Sequence, residues 1–230
     1  MGQLSVNEWN GKKKPQLMLE DFEVNGIQLF DLRSKKNRQG LILDAQTLGI
    51  AFSDKLPSEI ERFCPNVHVY QTLDDLTAFF GSGNYTQLAF LDCPSEKELL
   101  RKIIQEIPVN RIYLILVSTE DAYLDGVGTR EQYGRLFQLI NQQNGIDIRY
   151  KLPMVANYLQ IPEKLLIFMI QVFFDLKFVT IKDGVLKKVS DPENKPLTES
   201  VLYQQRLAKI KTEEDLLMSD LSTIRKWLIS

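Results

Sequence analysis

Polar and apolar positions alternate through residues 5–24, SVNEWNGKKKPQLMLEDFEV. A short run ends at Asn10-Gly11. A second run, with Leu17, Leu19, Phe22 and Val24, follows three lysines and Pro15. Two alternating runs joined by Asn-Gly predict a β-hairpin. Two strands alone do not make a stable sheet. The hairpin is therefore expected to pack on the segment that follows, or to be loosely ordered at its lysine tip. VNGIQLFDLRS then reads as an exit strand, and KKNRQ, residues 35–39, as a solvated linker.

From residue 40 to 118 the rhythm becomes strand and helix in alternation. LGIAF (48–52), VHVY (67–70), QLAFLD (87–92) and RIYLILV (111–117) are apolar, β-rich runs. The last two lack polar alternation, as strands buried on both faces do. Helices are predicted at about 55–63, 72–80 and 95–106. Ser95 is the expected cap of the last, with Glu98 at capping-box spacing. This alternation implies a parallel sheet covered by helices.

From Thr129 the spacing turns helical. TREQYGRLFQLINQQ (129–143) places Leu136, Phe137, Leu139 and Ile140 on one side and stops at Asn144-Gly145. KLPMVANYLQI (151–161) predicts a second helix. Pro162 suits the first turn of a third, which continues through EKLLIFMIQVFFDLKF. Asp183-Gly184 then divides two short strands in VTIKDGVLKKV. Three helices and a two-residue hairpin make a winged-helix-like arrangement. A turn-rich linker (190–200) leads to a helical region, 198–229, with Leu202, Ile210, Leu217, Leu221, Ile224 and Leu228 at helical spacings. A break is expected near Thr212, with Thr212 and Asp215 starting a fresh helix.

The fold class expected is therefore α/β: a small, open, mostly parallel sheet with helices, then a winged-helix-like α+β unit and C-terminal helices, with the hairpin in front. The divisions fall at 1–34, 35–124, 125–192 and 193–230. A chain of 230 residues, 44% hydrophobic with net charge -2, has the composition of an ordinary globular protein. Global charge does not favour nucleic acid, so any such site must be a local patch. Cys64 and Cys93 lie far apart and read as reduced thiols of a cytoplasmic protein. No signal-peptide pattern is visible, and the most apolar run, residues 165–174, is too short to span a bilayer. The single histidine, His68, sits in a predicted strand and reads as structural. That count argues against a histidine-based metal site or a Ser/His/Asp triad.

Four features bear on chemistry. No Walker or dinucleotide glycine loop is present. GSGN (81–84) follows a helix and reads as its C-cap. Asp92, Glu120 and Asp121 lie at or past the ends of adjacent strands, where α/β proteins bind ligands. They would either hold a magnesium ion or serve as loop and cap residues. The third helix is apolar nearly all round and lacks base-reading arginines and asparagines. Lys182, Lys187 and Lys188 on the wing would touch phosphates or simply solvate a hairpin. Trp9 beside Lys12, Lys13 and Lys14 suits single-stranded nucleic acid, through stacking and phosphate contacts, or is a soluble turn near a buried tryptophan.

In order along the chain, VNEWNGKKKPQLMLEDFEV, FDLRS, TREQYGRLF, FMIQVFFDLKFVTIKDGVL and LTESVLYQ closely resemble the C-terminal part of the RecJ family of single-strand-specific DNA exonucleases. The likeness is to the Firmicutes form, which carries an extra C-terminal domain. FDLRS and LTESVLYQ fall at the expected ends of that domain. TREQYGRLF is preceded by GVG, where the family pattern leads one to expect a proline beside the threonine. The resemblance implies an enzyme that hydrolyses DNA with manganese or magnesium ions held by Asp and His in DHH-type motifs. None of those motifs occurs here. It also implies that the hairpin is the remnant of an oligonucleotide-binding (OB) barrel, that Met1-Gly2 marks an interior cut, and that no catalytic residue, metal or cofactor belongs to this stretch. The implied partners are the rest of the exonuclease chain, single-stranded DNA, and a repair helicase or single-strand-binding protein. A self-contained metal enzyme built on Asp92, Glu120 and Asp121, and a winged-helix DNA-binding regulator, are the competing readings.

Overall fold

Asn10 and Gly11 both take positive φ, 51° and 73°, as a type I′ turn requires. In the computed structural model, which describes residues 2–19, 26–119 and 121–229, that turn joins β1 (Gly2–Trp9) to β2 (Lys12–Leu19). The ladder runs from Trp9↔Lys12 to Gly2↔Leu19. Phe22 and Val24 lie outside the described residues. Every residue of both strands is exposed. The expectation that the hairpin packs on the α/β segment fails, because that segment's sheet is already covered by helices of its own.

The strands that follow form one sheet. They are β3 (Gln28–Asp31), β4 (Thr47–Ala51), β5 (Asn66–Val69), β6 (Gln87–Asp92) and β7 (Arg111–Val117), in the order β3-β7-β6-β4-β5. Every pairing is parallel. β4 and β6 are buried throughout, which is why they read as continuous apolar runs. β3, expected as an exit strand of the hairpin, is instead an edge of this sheet, paired with β7. KKNRQ is solvated as expected at Lys35, Lys36, Asn37 and Gln39, but it is a helical turn and not a linker. Ser34 caps α1 (Lys35–Arg38), and buried Arg38 donates from Nη1 to the carbonyls of Leu32 and Arg33, at 2.8 and 2.7 Å.

Three further helices connect the strands: α2 (Ser58–Glu61), α3 (Leu73–Ser82) and α4 (Glu98–Glu106). Thr72 caps α3, its side chain accepting from the Asp75 N–H. α4 starts three residues later than expected, because the Ser95 carbonyl is bonded to the Thr212 hydroxyl at 3.1 Å and Ser95 does not cap. Leu100, Ile103 and Ile104 of α4 enter the core against the sheet.

After α5 (Ala122–Asp125), a second unit has its own core. α6 (Arg130–Gln142) opens with a complete capping box between Thr129 and Gln132. Then come β8 (Ile146–Asp147), α7 (Ile148–Leu159), α8 (Glu163–Asp175), β9 (Val179–Lys182) and β10 (Val185–Lys188). The small sheet has the order β8-β10-β9 and is antiparallel. Asp183 and Gly184 take φ of 51° and 75° at the wing tip. A 3-10 turn, Leu197–Glu199, leads into α9 (Val201–Glu213). α9 passes through the expected break into a π-helical stretch, Glu214–Met218, and stops at Ser219. Asp220, accepting from the Thr223 N–H and the Ser222 hydroxyl, starts α10 (Leu221–Ile229). Leu216, Ile224 and Leu228 return to the core of the parallel sheet, so the π-helical turn and α10 close the first unit.

Truncating such a side chain leaves a cavity. Leu216→Ala should therefore lower stability by about 2–5 kcal/mol, read from the urea midpoint. Removing residues 2–19, which are exposed throughout, should leave that midpoint unchanged.

Candidate functional site

In the parallel sheet, the chain leaves β4 for β5 on one side and β6 for β7 on the other. The crevice between the C-terminal ends of β4 and β6 is therefore the switch point where open α/β sheets bind ligands. Asp92 ends β6 there. It is buried, and its Oδ1 accepts the Phe52 N–H at 2.7 Å, tying the end of β6 to the end of β4. Burial pushes its carboxyl above the usual aspartate range, opposed by the Phe52 hydrogen bond and by the Lys209 ammonium.

Lys209 comes from α9. Its Nζ donates to the carbonyls of Cys93 and Pro94, at 2.6 and 3.1 Å. The same stretch continues the contact. Fully buried Glu213 accepts the Ser118 hydroxyl and the Tyr123 N–H, both at 2.7 Å. Lys97 meets Asp215 at 2.5 Å. Arg33, held by both carboxylate oxygens of Asp31, donates to the carbonyls of Leu216 and Ser219, at 2.7 and 2.8 Å. The π-helical turn frees such carbonyls from their usual helical partners. A cleft of about 970 Å³ remains beside this contact, between Phe52, Tyr70 and Glu96 on the sheet side and Phe168, Gln171 and Arg206 on α8 and α9.

Two of the carboxylates proposed from sequence as a metal site are engaged in different ways. Asp92 is buried against β4. Asp121 is exposed with φ 52°, and its N–H donates to Ser118 Oγ. Glu120 lies outside the described residues. Among the described residues no cluster of three His, Cys, Asp or Glu is arranged to hold an ion. His68 meets Asp75 at 2.9 Å and lies against the Phe79 ring. Both cysteines are free and buried, and burial pushes the Cys93 thiol up to about 12. The donors among the described residues do not fit a catalytic metal pair.

The basic candidates divide by face. In the hairpin, Trp9, Lys12 and Lys14 share one side, since Trp9 pairs with Lys12 and Asn7 with Lys14. Trp9 is 78% exposed, so it is no buried tryptophan. Lys13 lies on the opposite side, 3.6 Å from Glu8. That side also carries Leu4, Val6, Leu17 and Leu19, all exposed. On the wing, Lys182 and Lys187 share the outer face, whereas Lys188 lies on the inner one with its ammonium over the Phe137 ring. Residues 129–190 hold nine Lys and Arg against five Asp and Glu, so this unit is positive in a chain of net charge -2.

α8, the helix that would read a major groove in a winged-helix regulator, packs against α9. Its Asp175 accepts the Ser200 hydroxyl at 2.6 Å and the Val201 N–H at 3.0 Å, and Arg206 lies over Phe168. Groove insertion would require α9 to leave. Sequence reasoning missed the roles of Arg33, Lys209 and Glu213, and read Thr212 only as a helix break. The available signal was the polar run Lys211-Thr212-Glu213-Glu214-Asp215, which interrupts the apolar spacing between Ile210 and Leu216.

A family model described as the C-terminal domain of single-strand DNA-specific exonuclease matches residues 28–228. It begins at the first residue of β3, leaving the hairpin outside. The single-stranded-DNA-specific exonuclease RecJ of Bacillus subtilis (strain 168) is 30% identical over 233 residues, covering 99% of this chain and 29% of that protein. The chain therefore spans under a third of that relative. No solved structure matches.

The elevated Asp92 carboxyl has a consequence for stability. Between the ordinary aspartate value, about 4, and the raised folded-state value, the folded state holds a proton that the unfolded chain has lost. This contribution to stability accordingly falls as pH rises through that window. Asp92→Asn keeps an acceptor for Phe52 and removes the titration. The stability of the variant relative to the parent should climb with pH from about 4 upward, measured by urea denaturation at a series of pH values.

Proposed function

The chain belongs to the RecJ family of single-strand DNA-specific exonucleases, through their C-terminal domain, and from that premise we propose that it is a non-catalytic accessory region of a 5′-to-3′ exonuclease of DNA repair and recombination. Its task is to position single-stranded DNA and to dock proteins, a repair helicase or single-strand-binding protein among them. Hydrolysis, and the manganese or magnesium ions it needs, would belong to other parts of the enzyme. The observation that carries this reading is the anchoring of α9 at the switch point. Where an α/β enzyme would seat its substrate, Lys209 and Glu213 of the chain's own α9 are already bonded to the strand ends and the loops that follow them. A cleft of about 970 Å³ stays open beside that contact, and among the described residues no cluster of three His, Cys, Asp or Glu is arranged there to hold an ion.

Two exterior features suit DNA. Lys182 and Lys187 share the outer wing face and have no carboxylate partner among the described residues. Lys12 and Lys14 flank exposed Trp9 on one hairpin face, a pairing of stacking ring and cations that binds single strands without reading sequence. Lys13 and Lys188, engaged by Glu8 and Phe137, are assigned lesser parts.

Phosphate contacts release counterions, so removing them flattens the dependence of affinity on salt. In the full-length enzyme, the Lys182→Glu, Lys187→Glu double variant should reduce the salt slope of single-strand binding by roughly 0.7 for each phosphate no longer held. An unchanged slope would remove the wing from the DNA path. The isolated 230-residue chain should show no manganese-dependent nuclease activity, and robust degradation by pure chain would overturn the accessory reading.

A further inference from the structure

β9 is an edge strand, paired only with β10. The phase of that ladder is set by the Lys182↔Val185 pair at the tip and by the Val189 N–H donating to the Phe178 carbonyl at 3.0 Å. In an antiparallel ladder alternate residues bond inward. Phe178, Thr180 and Lys182 therefore face β10, and the N–H and C=O groups of Val179 and Ile181 point outward. No described residue bonds to them. Such a row is a template for a further strand.

Alongside this edge runs a groove of about 780 Å³, lined mainly by carbon: Phe174 at the end of α8, Leu202 of α9, and Val179 and Ile181 themselves. Phe174 is 52% exposed and Leu202 38%. Its two charged residues are Asp175 and Lys177. Asp175 is committed to Ser200 and Val201, while Lys177 has no carboxylate partner among the described residues. The groove thus offers main-chain bonds along one wall, an apolar surface beneath and one uncommitted positive charge.

We propose that the β9 edge and its groove are a docking site for an extended peptide segment of a partner protein, apolar at alternate positions and acidic where it passes Lys177. Strand addition supplies the affinity through main-chain hydrogen bonds, and side-chain alternation supplies the specificity. A carboxylate beside Lys177 neutralises the cation that the apolar groove leaves unpaired. The site uses neither Lys182 nor Lys187, so it stands or fails apart from the DNA-positioning role.

The probe is a fluorescein-labelled heptapeptide alternating valine or isoleucine with glutamate, measured by anisotropy against the 230-residue chain. Its control has the same composition with the apolar residues made contiguous. Saturable binding of the alternating peptide, weakened roughly tenfold or more by Lys177→Glu, is the expected result. The Val179 and Ile181 amide resonances should move downfield on binding. Ile181→Pro removes one outward N–H and leaves the β10 ladder its bonds, so it should abolish binding. If that variant does not fold, Leu202→Glu tests the groove instead. Equal binding of both peptides, unmoved Val179 and Ile181 amides at saturation, or occupation of the edge by a second copy of the chain in sedimentation, would each overturn the proposal. Lys182→Glu with Lys187→Glu should leave peptide binding unchanged.

Discussion

The structure depends on one polar contact, the seating of residues 209–219 on the C-terminal ends of the parallel strands. A parallel sheet presents strand-end carbonyls and loop N–H groups at one end, and buried groups of that kind need partners. Here α9 and its π-helical turn supply them. Lys209 and Thr212 donate to the loop after β6, Glu213 accepts from the loop after β7, and the carbonyls of Leu216 and Ser219 are held by Arg33 beside β3. A fully buried carboxylate such as Glu213 is costly unless hydrogen-bonded, and it is bonded at both oxygens. Because α8 packs on α9, this contact also sets where the winged unit lies on the sheet.

Three of the stretches that carry the family likeness, FDLRS, TREQYGRLF and LTESVLYQ, prove to be joints of this assembly. In FDLRS, Asp31 orients Arg33 toward the π-helical turn, Leu32 enters the core and Ser34 caps α1. In LTESVLYQ, Ser200 caps α9 and bonds Asp175 of α8. In TREQYGRLF, Thr129 and Gln132 form a capping box, while Tyr133 packs edge-on against Phe173. Each motif therefore specifies how two elements meet. Their polar side chains are spent on caps and on contacts between elements.

The surfaces differ in what they offer. α9 borders the crevice that α/β folds use for ligands and leaves a cleft beside it, α8 of the winged unit packs against α9, and Lys182 and Lys187 share the outer face of the wing. The excess of cations in residues 129–190 is offset by acidic residues elsewhere in the chain, so the overall charge of -2 conceals a positive unit.

The strands and helices were legible because their signals are local. Residues 87–92 and 111–117 are continuous apolar runs, Asn10-Gly11 and Asp183-Gly184 can take the positive φ of two-residue turns, and Thr129 stands three residues before Gln132. Local signals also misled. Ser95 has the spacing of a cap, yet its carbonyl is taken by Thr212 far along the chain, and KKNRQ reads as solvated although Arg38 is buried. Membership of β3 in the sheet, the strand order, the tie from Asp92 to the end of β4 and the docking of α9 at the switch point were decided only by tertiary structure. Each rests on hydrogen bonds between residues distant in sequence, as between Arg33 and Leu216, 183 positions apart. Composition and periodicity report which face of an element is buried; they do not report which distant polar group will meet it there.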